Sequence, residues 1–169
     1  MTRRIIGIDP GSRITGIGVI ETDGQKVKHI FSTCIRLGDR PLPERLGIIF
    51  AEVTQIIRDW QPDEMSVEDV FVATNAGGAL KLGQARGAAI CAGVTMQLPV
   101  HEYSAKQVKQ ATVGKGAADK TQVQHMVKVL LNLQGQLQAD TADALAVALC
   151  HAHTSHLNNR IAQAVRLIR

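Results

Sequence analysis

Four carboxylates in this chain sit where the ends of secondary-structure elements would present them. Asp9 lies in Gly7-Ile8-Asp9-Pro10-Gly11-Ser12, and Glu68 lies within Met65-Ser66-Val67-Glu68-Asp69-Val70-Phe71. Asp140 and Asp143 open an alanine-rich segment. Each has an ordinary explanation. Asp-Pro-Gly is common turn chemistry, and Glu68 with Asp69 fits a solvated edge strand. Asp140 suits a helix N-cap and Asp143 complements a helix dipole. Against these stand three costs and constraints. An Asp ending a buried first strand is expensive unless it is paired or bound to metal. Strand alternation sends one of Glu68 and Asp69 inward or to the sheet's end. A spacing of three puts Asp140 and Asp143 on one helical face, about 5–6 Å apart. Clustered carboxylates repel, so a shared site needs divalent cations, and oxygen-only ligands select Mg2+ or Mn2+. Two such ions about 3.5–4 Å apart would hold a scissile phosphate, one activating water and the other stabilising a leaving 3′ oxygen.

The elements that must position these acids are readable from apolar spacing. Residues 4–9 and 14–21 read as β-branched strands around a Pro-Gly turn, and 27–36 as a third. Leu46, Ile49, Phe50, Val53, Ile56, Ile57 and Trp60 recur at three and four, which predicts a helix over 43–60 closed by Pro62. A strand follows over 65–71, with Ser66, Glu68 and Val70 on one face and Val67, Asp69 and Phe71 on the other. The Ala/Gly-rich stretch 76–97 predicts a closely packed helix. A fifth strand spans 99–103, and Ser104 caps a short helix to about 112. After the loop Gly114-Lys115-Gly116, helices are expected near 119–131 and 140–156. This order predicts a mixed α/β sheet with helices on both faces.

Composition narrows the partners. The 169 residues favour one domain, read as 1–156, with a motif-free C-terminal tail over 157–169. A chain this long buries roughly 70% of its unfolded surface and needs no disulfide. Only five aromatics occur, Phe31, Phe50, Trp60, Phe71 and Tyr103, too few for a base-stacking platform. Cys34, Cys91 and Cys150 form no CxxC pair and read as reduced thiols of a cytoplasmic protein. No signal-peptide core or membrane-length apolar run appears, so no membrane partner is expected. The net charge of +4 is unevenly spread. Residues 1–69 hold nine basic and eleven acidic groups, and residues 70–139 hold seven basic groups against Glu102 and Asp119. The near-Walker run Gly114–Thr121 has Asp119 where a glycine belongs, which places negative charge at the phosphate position. His151, His153 and His156 share the last helix without a ligand spacing. His29, His101 and His125 are scattered. All six read as unliganded.

The segments GIDPGSRITGIGVI, SVEDVF, ALKLGQARGAA (79–89), QVKQATVGKGAADKTQVQHMV (107–127) and QADTADALA (138–146) resemble the RuvC family of Holliday-junction resolvases. The resemblance runs from about residue 5 to 156, in order. It implies a ribonuclease H-like mixed sheet, its first three strands antiparallel and then alternating with helices, flanked by helices. It also implies a Mg2+-dependent endonuclease with two ions per site, Mn2+ able to substitute, and no organic cofactor. The family's catalytic, metal-ligating acids fall on Asp9, Glu68, Asp140 and Asp143. Family members act as homodimers with the RuvA–RuvB branch-migration complex in recombination and repair. They nick four-way junctions symmetrically, leaving 5′-phosphate and 3′-hydroxyl ends. Phe71 matches an aromatic that stacks on a base at the opened junction, with a core phenylalanine as the alternative. Lys109 and Lys120 match lysines near the DNA backbone, and Lys81, Arg86 and Lys115 complete the expected DNA surface. Thr74 stands where the family often carries lysine. An actin- or sugar-kinase-like ATPase would need a second phosphate motif and more chain, and a non-catalytic junction binder would be hindered by four acids.

Overall fold

A computed structural model describes residues 2–69 and 76–167, with side chains through 157. Three strands, β1 (Arg3–Asp9), β2 (Ile14–Thr22) and β3 (Val27–Arg36), form an antiparallel meander. Beyond β1 lie β4 (Glu64–Glu68) and β5 (Val100–Tyr103), both parallel to it, giving the order β3-β2-β1-β4-β5. The helices are α1 (Leu42–Trp60), α2 (Ala76–Thr95), α3 (Ala105–Val113), α4 (Lys120–Leu130) and α5 (Ala139–Leu167). This is the expected mixed sheet, and alternation along β1 divides its core. Ile6 and Ile8 pack with α1 and α2, while Ile5 packs with α3, α4 and α5 on the opposite face.

The helix ends follow local chemistry. α1 begins with Pro43 in its first turn and ends at Gln61, left-handed at φ 46°, just before Pro62. Ser104 caps α3 through a capping box with Gln107, as expected. Asp119 does the same for α4, accepting from the Gln122 amide at 2.8 Å. The acid that breaks the Walker-like pattern is therefore a helix cap.

Two boundaries differ from those that the apolar spacing predicts. β4 ends at Glu68 rather than Phe71. Its last ladder partner is the Tyr103 carbonyl, which accepts from the Asp69 amide at 2.8 Å, and the chain then turns at Ser104 into α3. The expected stacking residue Phe71, and Thr74 with it, lie outside the described residues. The last helix does not stop at 156 but continues to Leu167. The signal for that extension is in the sequence, where Leu157, Ile161 and Val165 recur every four residues and continue one helical face.

α5 is the element that makes the site. It lies so close to the meander that side chains are excluded beneath it. A Cβ on Gly7 would stand 2.2 Å from the Ala144 carbonyl oxygen, and one on Gly16 would stand 2.0 Å from that of Asp140. Both are far inside van der Waals contact, so only glycine lets this helix settle on β1 and β2.

Candidate active site

Asp9 and Glu68 end the two central parallel strands side by side. Ile8 pairs with Val67, so the next residues on each strand are neighbours facing α5. The first turns of α5 bring Asp140 and Asp143 over them from above. The turn after β1 is held in place. The Thr15 hydroxyl donates to the Gly11 carbonyl at 3.0 Å and accepts from its amide, and Arg45 of α1 donates to the Ser12 carbonyl at 2.6 Å. Thr15 was readable as a local side-chain-to-backbone bond four residues on. Arg45 was not, because it arrives from a separate element.

The electrostatics show that the four acids act on one another. Asp9 is pushed up to about 8, first by burial, then by the charges of Glu68 and Asp143, a hydrogen bond with Glu68, and Asp140. Glu68 is also raised, chiefly by burial, although its hydrogen bond with Asp9 pulls the other way. One cation is supplied by the fold. Lys120 Nζ lies 3.3 Å from Asp143 Oδ2, and that carboxylate raises the lysine. A cavity of about 140 Å3 opens beside the acids, lined by Glu68, Lys109, Lys120 and Asp143 with Ala105, Val108 and Val123. A group with several anionic oxygens entering it meets Lys109 and Lys120 among the carboxylates of Glu68 and Asp143.

The structure therefore gathers all four expected acids and two of the expected lysines. Lys115 is exposed in the loop between α3 and α4, and Lys81 is exposed on α2. Arg86 departs from expectation. Its side chain is 17% exposed, its Nε donates to the Glu68 carbonyl at 3.1 Å, and its guanidinium pairs with Asp69 and Glu102. The guanidinium expected to face DNA instead fixes the backbone under Glu68. A basic residue looks the same in sequence whichever way it turns.

The donor set suits the metal that the acids call for. It is oxygen-only, and its four carboxylates outnumber the ammonium groups of Lys109 and Lys120 beside them. Among the described residues no helix is long and apolar enough to cross a membrane.

Comparison with known proteins places this arrangement. The sequence profile of crossover junction endodeoxyribonuclease RuvC matches residues 5–151. Over 159 residues the chain is 55% identical to the crossover junction endodeoxyribonuclease RuvC of Marinobacter nauticus, covering 94% of this chain and 91% of that one. A Vibrio cholerae relative of the same name is 58% identical over 151 residues, covering 89% and 87%. Among solved structures, T. thermophilus RuvC in complex with a Holliday junction substrate superposes with a TM-score of 0.87 at 34% identity. That match covers 92% of this chain and 96% of the other.

Proposed function

Because this chain belongs to the RuvC family of crossover junction endodeoxyribonucleases, we propose that it resolves four-way DNA junctions by hydrolysing phosphodiesters at Asp9, Glu68, Asp140 and Asp143. The observation that carries the assignment is the meeting of half-buried Asp9 with Glu68 at the ends of adjacent parallel strands, beneath Asp140 and Asp143 of α5. Such crowding costs stability unless divalent charge relieves it, so its persistence is explained by a task. Bound Mg2+, two ions per site with Mn2+ as a substitute, would supply Lewis-acid stabilisation of charge at the scissile phosphate.

The chain's own residues do the rest. Asp9 and Glu68 hold a rigid edge of carboxylate oxygens, because each closes a strand of the central sheet. Asp140 and Asp143 complete the set from the helix above. Lys109 and Lys120 bind phosphate oxygens at the cavity and set the strand's height, and Lys81 and Lys115 extend the basic surface outward. Phe71, directly after the Glu68–Val70 segment, is the residue we assign to stacking at the junction centre. The products are 5′-phosphate and 3′-hydroxyl ends, made by paired symmetric nicks during homologous recombination and repair.

A homodimer matches the near-two-fold symmetry of a four-way junction, one site per arm pair. The surface that supports it is on α2. Leu80 and Val94 are 65% and 58% exposed, and between them Gly83, Gly87 and Cys91 share the same helical face, with open space over both glycines. Residues 1–156 form the nuclease domain, RuvA–RuvB is the partner complex, and the cytoplasm is the compartment in which the three free cysteines are at home.

The test is Asp9→Asn. It should lower Mg2+-dependent cleavage of a synthetic four-way junction by several orders of magnitude while junction binding in Ca2+ stays within about twofold. Cleavage at near wild-type rate by this variant would overturn the site.

A further inference from the structure

A second convergence of ligand atoms lies at the other end of β4. Glu64 opens that strand on the same face as Glu68, four residues earlier and therefore about 13 Å away. His101 of β5 stands beside it, and His151 of α5 comes down from above, eleven residues and about 16 Å along the helix from Asp140. One ligand atom from each of the three falls within 4.8 Å of the others.

Each ligand atom is aimed by a further contact. The Tyr103 hydroxyl lies 2.7 Å from His151 Nδ1, which leaves Nε2 to face Glu64. Arg3 Nη1 takes Glu64 Oε1 at 3.0 Å, which leaves Oε2 to face both imidazoles, with His101 Nε2 at 3.9 Å. His151 is only 2% exposed, so this orientation is fixed by packing, whereas His101 is 42% exposed at the sheet's edge. A ligand nitrogen whose ring is held through its other nitrogen is the usual build of a protein metal site. Two imidazoles and one carboxylate match the ligand set and number of zinc-type sites and not of Mg2+.

We propose that Glu64, His101 and His151 bind a divalent transition-metal ion of the zinc class, clamping β4, β5 and α5 at the end of the sheet opposite the four acids. The ion takes the place of the hydrogen bond between His151 Nε2 and Glu64, with the neutral ring keeping its one proton on Nδ1, where it donates to the Tyr103 hydroxyl oxygen. Uptake also requires movement. The His101 and His151 rings are stacked at 4.2 Å and 24°, so their nitrogen lone pairs run nearly parallel. The exposed His101 ring must turn out of the stack to share the ion.

The experiment uses the full chain, stripped with chelator and titrated with ZnCl2 by calorimetry, with thermal unfolding in parallel. Three proteins are compared, wild type, His101→Gln and Asp9→Asn. One tight equivalent and a raised Tm are expected in wild type and in Asp9→Asn. In His101→Gln the affinity should fall more than about tenfold and the Tm rise should vanish, while its Mg2+-dependent junction cleavage is unchanged. Histidine-ring NMR should show zinc moving the His101 and His151 signals together. Zinc binding that survives His101→Gln, that is lost in Asp9→Asn, or that never appears in wild type would overturn the proposal.

Discussion

At Asp9 the chemistry and the stability of this chain are linked. Its carboxyl, near 3.8 in an unfolded chain, is pushed up to about 8 in the fold, first by burial and then by Glu68, Asp143 and Asp140. Between these values the folded protein holds a proton that the unfolded chain has released. Its contribution to stability is therefore full below the unfolded value and is lost as pH rises through the folded one. Histidines in the unfolded chain have lost most of their protons above about pH 7, so Asp9, with Glu68 raised beside it, contributes strongly to the slope between about pH 7 and pH 8. In metal-free protein the Tm should fall by roughly 2–4 °C across that unit. Asp9→Asn and added Mg2+ should each flatten the fall, and an unchanged slope in the variant would place the proton elsewhere. Each acid alone has an ordinary explanation, and the four were legible together, at element ends and in segments that resemble those of the RuvC family. The inward turn of Arg86 and the meeting of Glu64, His101 and His151 were not. Residues 64, 101 and 151 have no shared spacing, and only the register of β4 against β5 and the axis of α5 bring them together.

At the scale of elements, the site depends on how closely α5 approaches the meander. Most strands and helices were legible because their apolar spacing is regular and their start and stop signals are explicit, as at Pro62 and Ser104, whereas Asp119 is a cap that only the fold reveals. The glycines of β1 and β2 carry the information that spacing does not. Gly16 is opposite Asp9 in the β1–β2 register and directly beneath Asp140. Gly16→Ala puts a methyl 2.0 Å from the Asp140 carbonyl, so the start of α5 must lift. A shift of about 1 Å in catalytic groups costs about 100-fold in rate, and the added atom should cost about 1–3 kcal/mol of stability. Far-ultraviolet circular dichroism should stay that of a folded chain. Gly47→Ala is the control. It lies within α1 with open space around it, and should add up to about 1 kcal/mol of stability while leaving cleavage at the wild-type rate.

Across the whole molecule, the net charge of +4 combines an acidic first part, a basic middle and a last stretch in which three arginines outnumber Asp140 and Asp143. The fold sets these against each other, placing Lys109 and Lys120 beside Glu68 and Asp143 at one cavity. Lysines there confer sequence-independent affinity for a phosphate backbone, and that affinity is salt-sensitive. Replacing Lys109 with Ala should reduce the slope of log affinity against log salt by about 0.9, because one phosphate is no longer neutralised. An unchanged slope would remove Lys109 from the DNA surface. In the proposed homodimer, selection of a branched substrate would be a property of two sites held together, encoded by no single residue. The most direct measurement is therefore Mg2+-dependent cleavage of a four-way junction compared with linear duplex of the same sequence, wild type beside Asp9→Asn. Wild type should make paired nicks in the junction with little or no cutting of the duplex, and Asp9→Asn should give neither product. Equal cutting of junction and duplex, or cutting by Asp9→Asn, would contradict a junction resolvase built on these four acids.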